Sequence, residues 1–117
     1  MKKNAKLELI KEFNNRISFE LTERKIYSHD IASIPSIIKP LLGSKVAEAV
    51  VQPISEEELI FLTKWASENK TALVPRGKAT SGYGGVLPLK RSIIVDFFRM
   101  NKIININKQN NTVTVQP

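Results

Sequence analysis

Four of the five glycines in this 117-residue chain fall between residues 77 and 85, inside the run Val74-Pro75-Arg76-Gly77-Lys78-Ala79-Thr80-Ser81-Gly82-Tyr83-Gly84-Gly85-Val86-Leu87-Pro88. The run carries two cations (Arg76 and Lys78), two aliphatic hydroxyls (Thr80 and Ser81) and no carboxylate. Such a backbone offers many unblocked N–H groups and little bulk, which is what wrapping a phosphate requires. The run reads as a pyrophosphate-binding loop. It is not a P-loop, because no Gly-Lys-Ser/Thr follows four residues after a glycine. It is not the dinucleotide fingerprint either, because a strand pattern rather than a helix comes next. Phosphates would therefore be held by loop N–H groups and hydroxyls, with Arg76 and Lys78 adding charge. Taken alone, a glycine-rich loop also serves as a plain tight turn at a strand end.

Other chemistry is thin. His29 is the only histidine, and the chain has no cysteine. No triad or thiolate metal site can be assembled, and the pair His29-Asp30 reads as a loop or helix-end feature. The run Glu56-Glu57-Glu58 follows Ser55 and reads as a helix start rather than a metal site. Trp65 reads as core packing. No catalytic or metal-ligating residue is assigned.

The formal net charge is +7. Residues 1–58 hold nine Lys/Arg and nine Asp/Glu, whereas residues 59–117 hold nine Lys/Arg against two carboxylates, so the excess lies in the half with the glycine loop. Such a half attracts anions. A basic module for a phosphate ligand or nucleic acid, without catalysis, is the alternative reading. Nucleic-acid binding normally interleaves aromatic residues among basic ones, and only Tyr83, Phe97 and Phe98 stand nearby. No apolar run is long enough to span a bilayer, and the basic start is not a signal peptide. The default location is the cytoplasm.

Elements must position the loop. Leu7, Ile10, Phe13 and Ile17 recur at helical spacing and predict a helix over 4–17. Thr22 is a possible N-cap for a second, short helix. Residues 31–45, with Pro35, Pro40 and Gly43, read as a connector with one possible helical turn at Ser36–Leu42. The expected division is a helical preface over 1–45 and a sheet-forming unit over 46–117. In that unit Ala49-Val50-Val51-Gln52 reads as a buried strand. A helix from Ser55 to about Asn69 buries Leu59, Leu62, Trp65 and Ala66, with a reciprocal Ser55–Glu58 capping box and an Ile54–Leu59 staple. Ala72-Leu73-Val74 is the next strand, completing a βαβ unit with a parallel pair. Residues 92–97 form a strand covered on both faces. Residues 102–106 and 112–115 form a hairpin across an asparagine-rich turn. The class is α+β: a small mixed sheet with a βαβ unit, then a β-hairpin, behind a helical preface.

The run from Pro75 to Pro88 resembles the phosphate loop of the FAD-linked oxidases with a PCMH-type flavin domain, which reads approximately P-R-G-G-G-T-S-x-x-G-G-x-x-P. The flanks 49–58, 94–103 and 112–117 resemble that family's strands and helix start in order. Tyr27-Ser28-His29-Asp30 resembles the Tyr-Ser-x-Asp of the glycolate oxidase and D-lactate dehydrogenase branch. The resemblance covers residues 22–117. It implies an FAD-binding subdomain of an oxidoreductase that takes a hydride from the α-carbon of a 2-hydroxy acid. Pro75, Arg76, Gly77, Lys78, Ala79, Thr80, Ser81, Gly84 and Gly85 would hold the FAD pyrophosphate. The sequence departs from the pattern at Lys78 and Ala79, where glycines are usual. Relatives with covalent flavin often carry histidine where Thr80 stands, so non-covalent FAD is expected. The resemblance also implies an iron–sulfur domain or subunit as a possible electron acceptor, no nucleic acid, and possible oligomerisation through an exposed sheet edge. Family members continue well past residue 117, so this chain is expected to bind FAD weakly or not at all and to have no turnover by itself.

Overall fold

The computed structural model describes residues 1–31, 46–80 and 82–117. The possible helical turn at 36–42, and Ser81, lie outside the described residues.

The chain begins with helix α1 (Lys3–Phe13). It stops four residues earlier than the apolar spacing predicts. Asn14 takes a left-handed φ of 47°, a 3₁₀ turn follows at Asn14–Arg16, and Ile17 leaves the helix for strand β1 (Ile17–Ser18). The buried face also differs from the expected one. Ala5, Leu9 and Phe13 are buried, while Leu7 and Ile10 are exposed. Two interleaved apolar stripes share this helix, and the one meeting the sheet is spaced by four. Helix α2 (Leu21–Tyr27) starts one residue before Thr22, so Glu20 rather than Thr22 occupies the N-cap position, with no side-chain cap.

Strands β2 (Ala49–Val51), β3 (Ala72–Arg76) and β4 (Ser92–Asp96) build the sheet with β1, in the order β1-β2-β4-β3. β1 is antiparallel to β2, and β4 is parallel to both β2 and β3. The βαβ unit therefore holds two strands of one direction, but they are not neighbours: β4 inserts between them. Register fixes two faces. Ala49, Val51, Ile93 and Val95 pack with α1 and helix α3 (Glu56–Glu68) through Leu9, Phe13, Leu62, Trp65 and Ala66. Val50 and Ile94 point the other way, against Ala47, Val74 and Tyr27. β4 is thus buried along its whole length, as an apolar run between two parallel neighbours should be. The outer strand β3 can carry Pro75, because an edge tolerates a missing N–H.

Helix α3 forms as its start signals require. Ser55 accepts from the Glu58 N–H at 3.3 Å. The Glu58 side chain reaches back one residue further than a reciprocal box, accepting from the Ile54 N–H at 2.9 Å. The same carboxylate takes two hydrogen bonds from Arg16, both at 2.6 Å. That bidentate pair ties the end of α1 to the start of α3. Ile54 remains exposed.

The remaining strands, β5 (Ile103–Asn107) and β6 (Thr112–Val115), form a separate two-stranded antiparallel hairpin. No helix among the described residues is long and apolar enough to cross a membrane.

Candidate phosphate loop and cleft

The glycine loop leaves the carboxyl end of β3, the end of a parallel sheet where α/β folds place their ligands. β3 runs through Pro75 and Arg76, which pair with Val95 and Asp96, so the irregular part begins at Gly77. Gly77, Lys78, Thr80 and Gly85 are exposed, Gly84 is half-buried and Ala79 is buried. No heavy atom lies within 4 Å of a Cβ built at Gly77 or Gly85, so bare backbone faces open space at both. Gly84 differs. Its φ of +77° lies in the left-handed region, and a Cβ there would meet Leu87 Cδ1 at 3.0 Å. Ala79 also sits left-handed, at φ 53°.

The loop is braced from behind by residues 27–30. Arg76 Nη1 donates to the Tyr27 carbonyl at 3.0 Å and to the His29 carbonyl at 2.6 Å, and its guanidinium lies 5.1 Å from the Tyr27 ring centre. The Arg76 charge is thereby taken up at the C-terminal end of α2, where helix carbonyls favour a cation. The Gly84 N–H donates to Asp30 Oδ2 at 2.9 Å. Ser28, buried, accepts the Ala47 N–H at 3.0 Å. Burial first, and then the charge and hydrogen bond of Asp96, push the Tyr27 phenol above its ordinary value. Asp96 is itself buried and accepts from Gln52 Nε2 at 2.7 Å and from the Phe98 N–H at 3.2 Å. Gln52 Oε1 in turn accepts from Arg99 Nε at 2.8 Å.

Beside the loop opens a cleft of about 570 Å³, lined by residues that include Tyr27, Gly77, Lys78, Phe97, Met100 and Val115. The loop contributes Arg76, Gly77 and Lys78 to the lining, and most of the other lining residues are aromatic or aliphatic, with Asp96, Asn101, Lys102 and Gln116 among them. Lys78 Nζ lies 5.2 Å from the Phe98 ring centre at the rim. A cofactor with a charged diphosphate and flat apolar rings matches that division.

The family described as FAD binding domain matches residues 47–117, well over half of the chain. The chain belongs to this family. It is 33% identical over 94 residues to the glycolate oxidase subunit GlcD of Bacillus subtilis, covering 80% of this chain and 18% of that protein. It is 29% identical over 90 residues to the D-lactate dehydrogenase of Anaerostipes hadrus, covering 77% and 18%. Among solved structures, an alkyldihydroxyacetonephosphate synthase superposes with a TM-score of 0.83 at 21% identity, covering 99% of this chain and 24% of that one. p-Cresol methylhydroxylase with substrate bound superposes at 0.68 and 18% identity, covering 92% and 21%. The fold is that of the PCMH-type FAD-binding domain, and the cofactor of this family is FAD. The chain spans about a fifth of the length of the relatives it matches.

The loop residues singled out in the sequence follow β3 in one irregular segment, apart from Ser81, which lies outside the described residues. Sequence reasoning missed the work of Tyr27, Asp30, Gln52 and Asp96. The one available signal was the Tyr-Ser-x-Asp run, which marks a family branch but does not say what its carboxylate touches.

Proposed function

We propose that this chain is the FAD pyrophosphate-binding part of an oxidoreductase acting on a 2-hydroxy acid. The observation that carries the reading is the bare backbone of Gly77 and Gly85 at the carboxyl end of the parallel strands, opening beside the apolar cleft. The exposed backbone of Gly77, Lys78, Thr80 and Gly85 offers its N–H groups to the diphosphate, joined by the hydroxyls of Thr80 and Ser81, while the Gly84 N–H is given to Asp30. Lys78 supplies the mobile positive charge, since the Arg76 guanidinium is committed to the carbonyls of Tyr27 and His29. Pro75 and Arg76 end β3 at the point where the loop must turn, and the turn passes through a left-handed φ at Ala79. The cleft walls of Tyr27, Phe97 and Met100 exclude water from an apolar ring of the cofactor. Thr80 cannot form the covalent flavin link for which relatives use histidine, so the cofactor is held without a covalent bond.

Bound FAD supplies the acceptor for a hydride leaving the substrate α-carbon. The substrate class rests on three related names: glycolate oxidase, D-lactate dehydrogenase and D-2-hydroxyglutarate dehydrogenase. All three name a carboxylic acid with a hydroxyl on the adjacent carbon. An iron–sulfur partner that takes the electrons onward belongs to the same reading.

The test is a calorimetric and flavin-fluorescence titration with FAD, ADP and AMP. Saturable binding of FAD and ADP but not AMP, weakened at least tenfold by Gly85→Val, is the expected result. Equal binding of AMP and ADP, or indifference to Gly85→Val, would remove the diphosphate from this loop.

A further inference from the structure

The loop is a long irregular segment, yet a phosphate cradle needs its N–H groups held in one arrangement before the ligand arrives. Two contacts contribute to that order, and both come from the last residue of α2 and the short stretch after it. Near the start of the loop, Arg76 grips the Tyr27 and His29 carbonyls. Near its far end, the Gly84 N–H is held by the Asp30 carboxylate, 54 residues earlier in the chain. Of the described residues between the two anchors, Gly77, Lys78, Thr80, Gly82 and Tyr83 face solvent and only Ala79 is buried. The second anchor is unusual in its chemistry. A carboxylate placed against a loop built for phosphates repels the ligand electrostatically, and its presence needs a compensating role. Gly84 is also the loop glycine whose left-handed φ the chain must enforce, and a charge-assisted hydrogen bond to its N–H is a strong way to do so.

We propose that Asp30 is a positioning residue for FAD binding: by holding the Gly84 N–H opposite the Arg76 clamp, it fixes the far end of the glycine loop in its binding shape without touching the cofactor. This rests on the assignment of the loop to the FAD diphosphate. The Gly84 N–H is then a structural group, and the diphosphate is held by the remaining exposed N–H groups.

Two variants separate a positioning role from a field effect. Asp30→Asn keeps an oxygen that can accept from Gly84 but removes the charge. Asp30→Ala removes both. Each is measured, beside the wild-type chain, by ADP and FAD titration and by the chemical shift and hydrogen-exchange protection of the Gly84 amide. Trp65 fluorescence confirms an intact core. A positioning role predicts that Asp30→Ala loses Gly84 protection and weakens ADP and FAD by about tenfold, the loss expected for one hydrogen bond to a charged group. Asp30→Asn restores protection and stays within about threefold of wild type. Tighter binding by both variants would show that the carboxylate acts only as an unfavourable charge, and would overturn the proposal. Unchanged Gly84 protection in Asp30→Ala would overturn it as well, as would affinity unchanged from a wild type that binds. A wild-type chain with a protected Gly84 amide that binds neither ADP nor FAD, even when extended past residue 117 to the length of its relatives, would remove the diphosphate assignment itself, and the proposal with it.

Discussion

Strand β4 and the β5–β6 hairpin are written in the same local code and meet opposite fates. Ser92-Ile93-Ile94-Val95-Asp96 is nowhere more than 4% exposed, whereas Ile103, Ile104, Ile106, Val113 and Val115 are between 56% and 65% exposed. Both are short runs rich in β-branched residues. The difference lies in their neighbours. β4 has a parallel strand on each side, with α1 and α3 over one face and Tyr27 against the other. Among the described residues the hairpin pairs only with itself, and a two-stranded ribbon is marginal in water. Strand propensity thus names the element, while burial decides how much the element stabilises.

Matching substitutions in the two regions give the largest expected contrast. Ile93→Ala removes a fully buried side chain between α3 and the sheet and should cost about 2–5 kcal/mol, a large part of a small domain's stability. Ile104→Ala, the same change on the hairpin, should stay within about 0.5 kcal/mol. Urea unfolding followed by Trp65 fluorescence measures both. Equal shifts of the midpoint would mean that the hairpin belongs to the same cooperative unit as the sheet.

What the sequence revealed divides along the same line. Runs interrupted by proline, glycine and asparagine marked β2, β3, β4 and the hairpin, because chain-local chemistry sets those boundaries. The Ser55 cap was legible for the same reason. The glycine loop was legible because its residues are contiguous. Long-range choices were not. Leu7 and Ile10 are as apolar as Leu9 and Phe13, and only the position of the sheet decides which stripe is buried. The insertion of β4 between β2 and β3 is a pairing choice that no local period encodes. Glu58 gave up its reciprocal cap because Arg16, 42 residues away, arrives with two donors. At the site, Asp30 reaches Gly84 for reasons that exist only once α2 and β3 are side by side.

The Arg16–Glu58 pair gives the next effect, and it carries a pH signature that the hairpin lacks. Burial acts to raise the Glu58 carboxyl, but the Arg16 hydrogen bonds, the Ile54 N–H and the Arg16 charge outweigh it and hold the carboxyl below its ordinary value. A depressed carboxyl stabilises the fold at pH values above its unfolded value, and that contribution is lost as the pH falls through the folded one. Glu58→Gln should therefore lower stability by about 1 kcal/mol at pH 7. The gap from wild type should close as the pH drops below the usual carboxylate range, below about pH 4. A gap that stays constant from pH 7 to pH 3 would show that the side chain acts through packing rather than through its charge.

Ala79 stands between the two regions, buried but in the loop, and tests how far the order of the sheet extends. Its φ of 53° costs an L-residue about 1–2 kcal/mol relative to the right-handed region. Glycine relieves that strain, but its greater freedom in the unfolded chain gives back about 0.5–1 kcal/mol, and its missing methyl gives up a little buried surface. Ala79→Gly should therefore raise stability slightly, by about 0.5 kcal/mol, seen as a Tm increase of a few degrees at most. Because the backbone already holds a left-handed shape that glycine adopts without strain, ADP affinity should change by less than about twofold. A loss of stability instead would mean that the Ala79 methyl outweighs its own strain. The packed core would then run past the end of β3 into the phosphate loop, and the boundary between the rigid sheet and the ligand-facing backbone would lie at Thr80 rather than at Gly77.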